Sequence, residues 1–301
     1  MPVLFVLIWS TGFVVARYAM PHAPPLGFLA IRYALSIVAF LVWIGWARAA
    51  WPRRGAQWLH LGITGVLMHA GYLGGVWMAV KGGLGAGLAA LIVGLQPILT
   101  ALWLSVRGDG SNTEPSGGTS GGTSPGVRPR QWLGLLLGLA GLLLVLGHKL
   151  KLGEATLPTL AAAAVALLSI TAGTLYQKRW VEPCDVRTAN AVQLLAALLI
   201  TAPLALLLGG TVDFHPELIG AMAWSVLVLT LGGSSLLYLL IQRGAATAVT
   251  SLMYLVPPTT AVLAWLLFDE ALGSGVLAGL ALTAVGVALV VRPGHTPKES
   301  T

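Results

Sequence analysis

Charge is what this chain has least of: 17 Lys and Arg and 10 Asp and Glu are spread over 301 residues, 9% of the total. A soluble globule needs about a quarter of its residues charged to clothe its surface, so a soluble enzyme is excluded first. A disordered chain is excluded by the opposite excess, 56% hydrophobic residues with a mean hydropathy of +0.85. Cysteine is nearly absent. Cys184 alone supports no disulfide framework and no cysteine-built zinc or iron–sulfur centre, and no motif asks for a cofactor. Carboxylates are missing from the interior of every long apolar run; all ten lie in connections, at run ends or in the tail. The net charge of +7 would suggest nucleic acid in a soluble protein. Here the cations fall between apolar runs, where they set membrane topology, and no nucleic-acid partner is expected.

The long apolar runs are what is present. A bilayer core is crossed by about 20 apolar residues in helix, because in lipid the backbone must satisfy its own hydrogen bonds. Ten such stretches are readable, approximately 2–20, 25–46, 58–80, 84–106, 131–148, 157–177, 187–209, 217–241, 246–268 and 271–291. The first has no basic segment before it and no small-residue cleavage site after it, so a retained helix is expected rather than a signal peptide. The even-numbered connections and the C-terminal tail carry twelve Lys and Arg against four in the odd-numbered ones. Positive loops stay inside, which puts both termini in the cytoplasm. Arg outnumbers Lys 12 to 5 amid abundant Ala, Gly and Leu, the usage of a GC-rich bacterial source, and the expected location is the bacterial inner membrane. Residues 107–130, rich in Gly, Ser, Thr and Pro, read as a flexible linker with no apolar face to bury. Gly82-Gly83-Leu84-Gly85-Ala86-Gly87 joins two spans and lacks the Lys-Ser/Thr ending of a phosphate loop, so it reads as a tight turn.

The chain also repeats itself. Gly12 aligns with Gly173, and the same offset of 161 residues sets Arg32 on Gln193; Leu95-Gln96-Pro97 aligns with Leu255-Val256-Pro257 at 160, and Gly134 and Gly141 with Gly279 and Gly286 at 145. The drop in offset falls where the first half holds the Gly/Ser linker. Five spans per half is an odd number, so the second half must lie upside down relative to the first. The expected fold is therefore an all-α integral membrane protein with ten transmembrane helices in two inverted five-helix repeats, residues 1–148 and 157–292, followed by a cytoplasmic tail, 293–301. Such repeats place a substrate site near the bilayer midplane, between the halves.

Particular residues carry a family resemblance. Ile8-Trp9-Ser10-Thr11-Gly12-Phe13, then Pro24-Pro25-Leu26 with Arg32 seven residues after Pro25, then the Gly-rich turn into Gln96-Pro97, resemble the first half of the EamA family of the drug/metabolite transporter superfamily. Tyr238 to Gly244, Pro257-Pro258, and Phe268-Asp269-Glu270-Ala271-Leu272 entering Gly279 and Gly286 are similar to its end-of-repeat pattern, in which an acidic residue precedes the final helix. The first half departs from that pattern, with the linker where the acidic residue would stand. The resemblance implies a ten-helix, inverted-repeat carrier of small organic metabolites.

Candidate site residues follow from depth and cost. Arg32 lies about 10 Å below the outer end of its span at 1.5 Å per residue, with no carboxylate in any span to pair with it; it serves either structure or the carboxylate of a substrate. His69 lies near the midplane, as an interhelical hydrogen-bonding group or as a pocket wall and coupling group. Tyr72 shares its helical face and Trp77 stands two turns on. Pro97, Pro257 and Pro258 interrupt the fourth and ninth spans and free backbone carbonyls, which marks them as hinges and Gln96 as a candidate ligand. Trp9, Ser10, Tyr238 and Tyr254 complete the candidate substrate-binding set. Asp269 and Glu270 are expected to favour the positive N-terminus of the last helix, with a gate ion pair as the alternative. The expected function is secondary transport, by export, of neutral or singly charged amphipathic solutes such as amino-acid-like compounds. The alternatives are an intramembrane lipid-modifying enzyme, for which no metal cluster or activated nucleophile stands at depth, and a non-transport membrane component. The expected partners are a small-molecule substrate and the lipid bilayer; the oligomeric state is left open.

Overall fold

The computed structural model describes residues 2–106, 129–151, 155–233, 236, 255–270 and 272–291. Among these residues every regular element is helical. The first half comprises α1 (Pro2–Ala19), α2 (Pro25–Ala47), α3 (Gly55–Gly65) continuing through a π-helical stretch (Val66–Gly71) into α4 (Tyr72–Lys81), then α5 (Ala86–Val93), α6 (Gln96–Val106) and α7 (Pro129–Lys151). The second comprises α8 (Leu157–Trp180), α9 (Val186–Leu208), α10 (Pro216–Ala223) continuing into a second π-helical stretch (Trp224–Gly232), α11 (Val256–Phe268) and α12 (Ser274–Val291). The chain thus turns where the sequence changes from apolar runs to Gly, Pro and charge. Four helical runs, Pro25–Ala47, Gly55–Lys81, Leu157–Trp180 and Val186–Leu208, are long and apolar enough to cross a membrane; the others are shorter. The linker, save Pro129 and Arg130, and the tail after Val291 lie outside the described residues, as do Tyr238 and Tyr254.

Local chemistry explains the helix starts. Pro25 opens α2 where a missing N–H costs nothing. The Asp185 carboxylate accepts the Arg187 N–H at 2.9 Å to cap α9. The outside of the bundle is apolar: Trp46 and Leu206 are 87% and 85% exposed. Side chains of that size and number facing outward fit hydrocarbon, not water.

The proline breaks differ in position from the sequence expectation. In the first half α5 ends at Val93, Gly94 and Leu95 form a turn, and Pro97 is the second residue of α6. In the second half Leu255 precedes α11, whose second residue is Pro257. In the first half the break therefore lies just before Pro97, and in the second α11 starts just before Pro257; each proline stands in a first turn where its absent N–H had no intrahelical acceptor anyway. The two places meet: a Cβ on Gly94 would stand 2.7 Å from Pro257 Cγ.

Packing contacts exchange under the repeat alignment. α7 lies along α12, α2 on α9 and α5 on α11; α3 and α4 pack on α8 as α10 packs on α1, and α5 and α6 touch α8 as α11 touches α1. Glycines let α7 and α12 approach to backbone contact. A Cβ on Gly141 would stand 2.5 Å from the Gly279 carbonyl oxygen, and one on Gly286 2.5 Å from that of Gly134. Since Gly134 aligns with Gly279 and Gly141 with Gly286, each contact is the other's counterpart.

Candidate functional site

Between the halves lies a cavity of about 530 Å³, within the ~300–1,000 Å³ range of small-molecule sites. Trp9 of α1, Arg32 of α2, His69 of the first π stretch and Tyr72 and Trp77 of α4 form one side. Ile170 of α8, Asn190 and Gln193 of α9, and Leu229 and Thr230 of the second π stretch form the other. Five of the sequence-predicted residues are thereby brought together.

Polar groups face the cavity from both halves. The Arg32 guanidinium, 8% exposed, donates from Nη2 to Thr230 Oγ1 at 3.2 Å. Gln193 and His69 face the same cavity from α9 and the first π stretch. The offset of 161 that carries Arg32 onto Gln193 also carries His69 onto Thr230, so these four lining residues stand at counterpart positions. Both His69 and Thr230 sit on π-helical stretches, wider turns that recur at functional positions. The His69 carbonyl also accepts the Tyr33 hydroxyl at 2.9 Å. Among the described residues no carboxylate pairs with Arg32, so its charge is available to an anionic group in the cavity.

The cavity reaches the surface of the bundle beside the C-terminal end of α8. Its mouth is ringed by exposed Gln177, Lys178 and Glu182, with half-buried Cys184 beside them. Here Gln57 Nε2 donates to the Glu182 carbonyl at 2.7 Å and Arg54 pairs with Glu182 at 2.9 Å. Burial pushes the Cys184 thiol up from its ordinary pKa, and hydrogen bonds from Arg187 hold the Asp185 carboxyl below the usual range. Toward the opposite end Trp77 stacks on Phe28 with centroids 4.3 Å apart. Beyond it Arg17 pairs with Glu270, Tyr18 packs on Phe268 at 4.8 Å, and Lys81 Nζ donates to the Met20 carbonyl at 2.5 Å.

Several expectations need correction. Glu270 does not serve the helix that follows it: its carboxylate accepts the Ala86 N–H at 3.0 Å, capping α5, and pairs with Arg17. The free N–H groups of α5 together with a cation outweigh a helix start close by in sequence alone. Ser10 and Gln96 are not part of the cavity lining. The Ser10 hydroxyl donates to the Val6 carbonyl at 2.8 Å and the Ser10 carbonyl accepts Thr260 Oγ1 at 3.4 Å, a bond between halves. Gln96 donates to Thr174 Oγ1 at 3.3 Å, tying α6 to α8. Pro97, Pro257 and Pro258 lie outside the lining as well. Thr230, Gln193 and Asn190 were missing from the sequence-based set, although the repeat offset already pointed from Arg32 to Gln193.

An apolar-surfaced helical bundle around a cavity lined from both halves has the architecture of a membrane transporter. The chain belongs to the EamA-like transporter family, which matches residues 1–108 and 157–292. An uncharacterized transporter of Archaeoglobus fulgidus is 22% identical, over 97% of this chain and 96% of its own length. The uncharacterized inner membrane transporter YedA of Escherichia coli strain K12 is 25% identical over 93% and 84% of the two chains. A probable amino-acid metabolite efflux pump of Salmonella typhimurium is 25% identical over 94% and 91%. The fold is shared with a solved crystal structure at a TM-score of 0.63, 20% identity, and 96% and 94% coverage.

Proposed function

We propose that the protein is a secondary transporter that exports small organic metabolites from a bacterial cytoplasm by alternating access between two inverted five-helix repeats, ten spans in all. The observation that carries this reading is one cavity lined from counterpart positions of the two halves, where Arg32 donates to Thr230 and the aligned residues Gln193 and His69 share the lining. The exchanged packing contacts and the approach of Gly94 to Pro257 support it. With both termini cytoplasmic, as the charge distribution argues, the mouth at Lys178 and Glu182 faces the cytoplasm, and the Arg17–Glu270 pair closes the outer end. That is an inward-open carrier. Outward opening requires Arg17 in the first half to release Glu270 in the second.

The substrate reading rests on the walls. Trp9, Tyr72 and Trp77 offer rings to an apolar moiety, and Arg32 offers one cation to one carboxylate. Amino-acid-like compounds fit, in keeping with the Salmonella typhimurium relative's name. A doubly charged sugar phosphate would bring a second anion to a wall with one buried cation. The test is competition among labelled amino acids, aromatic acids and sugar phosphates for uptake by proteoliposomes, with and without a pH gradient. Saturable transport of the amphipathic monoanions or zwitterions is expected; preferential transport of a sugar phosphate overturns the substrate reading.

A further inference from the structure

At the end of the bundle where Arg17 meets Glu270, outside the cavity lining, a second group of side chains converges. His22 lies in the connection between α1 and α2, Asp213 and His215 in the connection before α10, and Glu217 in the first turn of α10. His22 Nε2 is 3.1 Å from Glu217 Oε2, and its Nδ1 is 3.6 Å from Asp213 Oδ2. One ligand atom each from His22, His215 and Glu217 lie within 4.8 Å of one another. The backbone holds them in register. The Asp213 N–H donates to the His22 carbonyl at 2.8 Å, and the His215 N–H to the Asp213 carbonyl at 2.8 Å.

We propose that His22, His215 and Glu217 form a divalent-cation site of the zinc type, with Asp213 as the outer carboxylate that orients His22. Two imidazoles and one carboxylate are a donor set for zinc, whereas magnesium and calcium select oxygen. Only one ring nitrogen of a histidine ligates a given ion; the other donates its N–H, and the His22 ring has a carboxylate at each nitrogen. Binding requires a small rearrangement. The His22 and His215 rings are stacked at 4.3 Å and 5°, while a metal lies in the plane of each ligating ring. His215 therefore swings out and gives up the 3.3 Å bond by which its Nδ1 accepts the Glu217 N–H. His215 and Glu217 are exposed, so the His215 ring swings into solvent. The ligand atoms then close to the roughly 3.3 Å spacing of a tetrahedral ion with bonds of about 2.0 Å. An ion held there ties a connection of the first half to one of the second, at the end of the bundle where Arg17 meets Glu270.

The test needs no transport assay. Untagged protein in detergent, stripped with chelator, is titrated with Zn²⁺ against a fluorescent chelator and melted with Zn²⁺ or Mg²⁺. The expected result is one high-affinity ion per chain, with Kd of about 10 µM or below, and a Tm raised by Zn²⁺ but not by Mg²⁺. His22→Gln and His215→Ala each abolish that binding, and Asp213→Asn weakens it about 10-fold or more. His60→Ala, at the opposite end and bonded to Tyr176 at 2.8 Å, leaves it unchanged. The Tm of each metal-free variant checks that it is folded. Absence of a high-affinity ion, unchanged affinity in folded His22→Gln, or equal stabilisation by Mg²⁺ overturns the proposal.

Discussion

Arg32→Gln separates a structural arginine from a substrate anchor. The guanidinium is 8% exposed and its hydrogen bond within the protein goes to a neutral hydroxyl, Thr230 Oγ1 at 3.2 Å. Glutamine keeps a donor for Thr230 but removes the charge. A hydrogen bond to a charged group contributes about 1.5–3 kcal/mol, and 1.4 kcal/mol is about a factor of ten. Apparent affinity for a substrate bearing a carboxylate should fall about 10- to 100-fold, while affinity for its amide analogue changes by less than about threefold. The assay is binding and initial uptake rate in proteoliposomes at matched protein content. Thr230→Val is the control, removing the internal bond and leaving the cation. Unchanged carboxylate affinity in folded Arg32→Gln, or equal losses for acid and amide, refutes the anchor and leaves Arg32 a structural residue.

Three other perturbations have defined outcomes. Gly279→Ala places a Cβ 2.6 Å from the Gly141 carbonyl oxygen and should cost about 1–3 kcal/mol by overpacking, read as a lower Tm in detergent; Gly147→Ala, which meets nothing within 4 Å, should leave Tm unchanged. His69→Gln should remove any dependence of transport on a pH gradient while exchange or facilitated flux persists, and retained coupling in that variant rejects His69 as the coupling group. Asp185→Ala loses the cap on α9, about 1 kcal/mol. Because the folded-state pKa of Asp185 is lowered, its contribution is fully present above the ordinary carboxylate pKa and disappears as pH falls through the depressed value. The Tm gap between wild type and Asp185→Ala should therefore narrow on acidification, and a gap that widens contradicts the assignment.

The sequence announces what depends on composition and spacing. Apolar runs and their punctuation mark most of the helices among the described residues, and the repeat offset links Arg32 to Gln193, both in the cavity lining. The π stretches were not legible, because a wider turn leaves no signature in residue type; yet they carry His69 and Thr230 into the cavity. The surroundings of Gln96 were not legible because depth in a span says nothing of helix face: its amide reaches Thr174. Hydroxyls such as those of Thr171 and Thr174, each donating to the carbonyl four residues back at 2.7 Å, look in sequence like a polar patch but satisfy themselves locally. Glu270 shows the same limit: its partner Arg17 is 253 residues away, and only the folded chain brings the two together.

Alternating access itself is tested most directly at Cys184, the chain's single cysteine, which lines the mouth of the cavity. A membrane-impermeant maleimide should label it from the cytoplasmic face of inside-out vesicles and not from the outer face of right-side-out ones. Glu270→Gln removes the charge that holds Arg17 at the opposite end, and Arg17→Gln removes its partner. If the halves alternate, either change favours outward opening, closes the mouth and slows Cys184 labelling several-fold, and a transported solute present in excess changes the rate again. Labelling that is equally fast in wild type and both variants, or that proceeds from the outer face, contradicts the account.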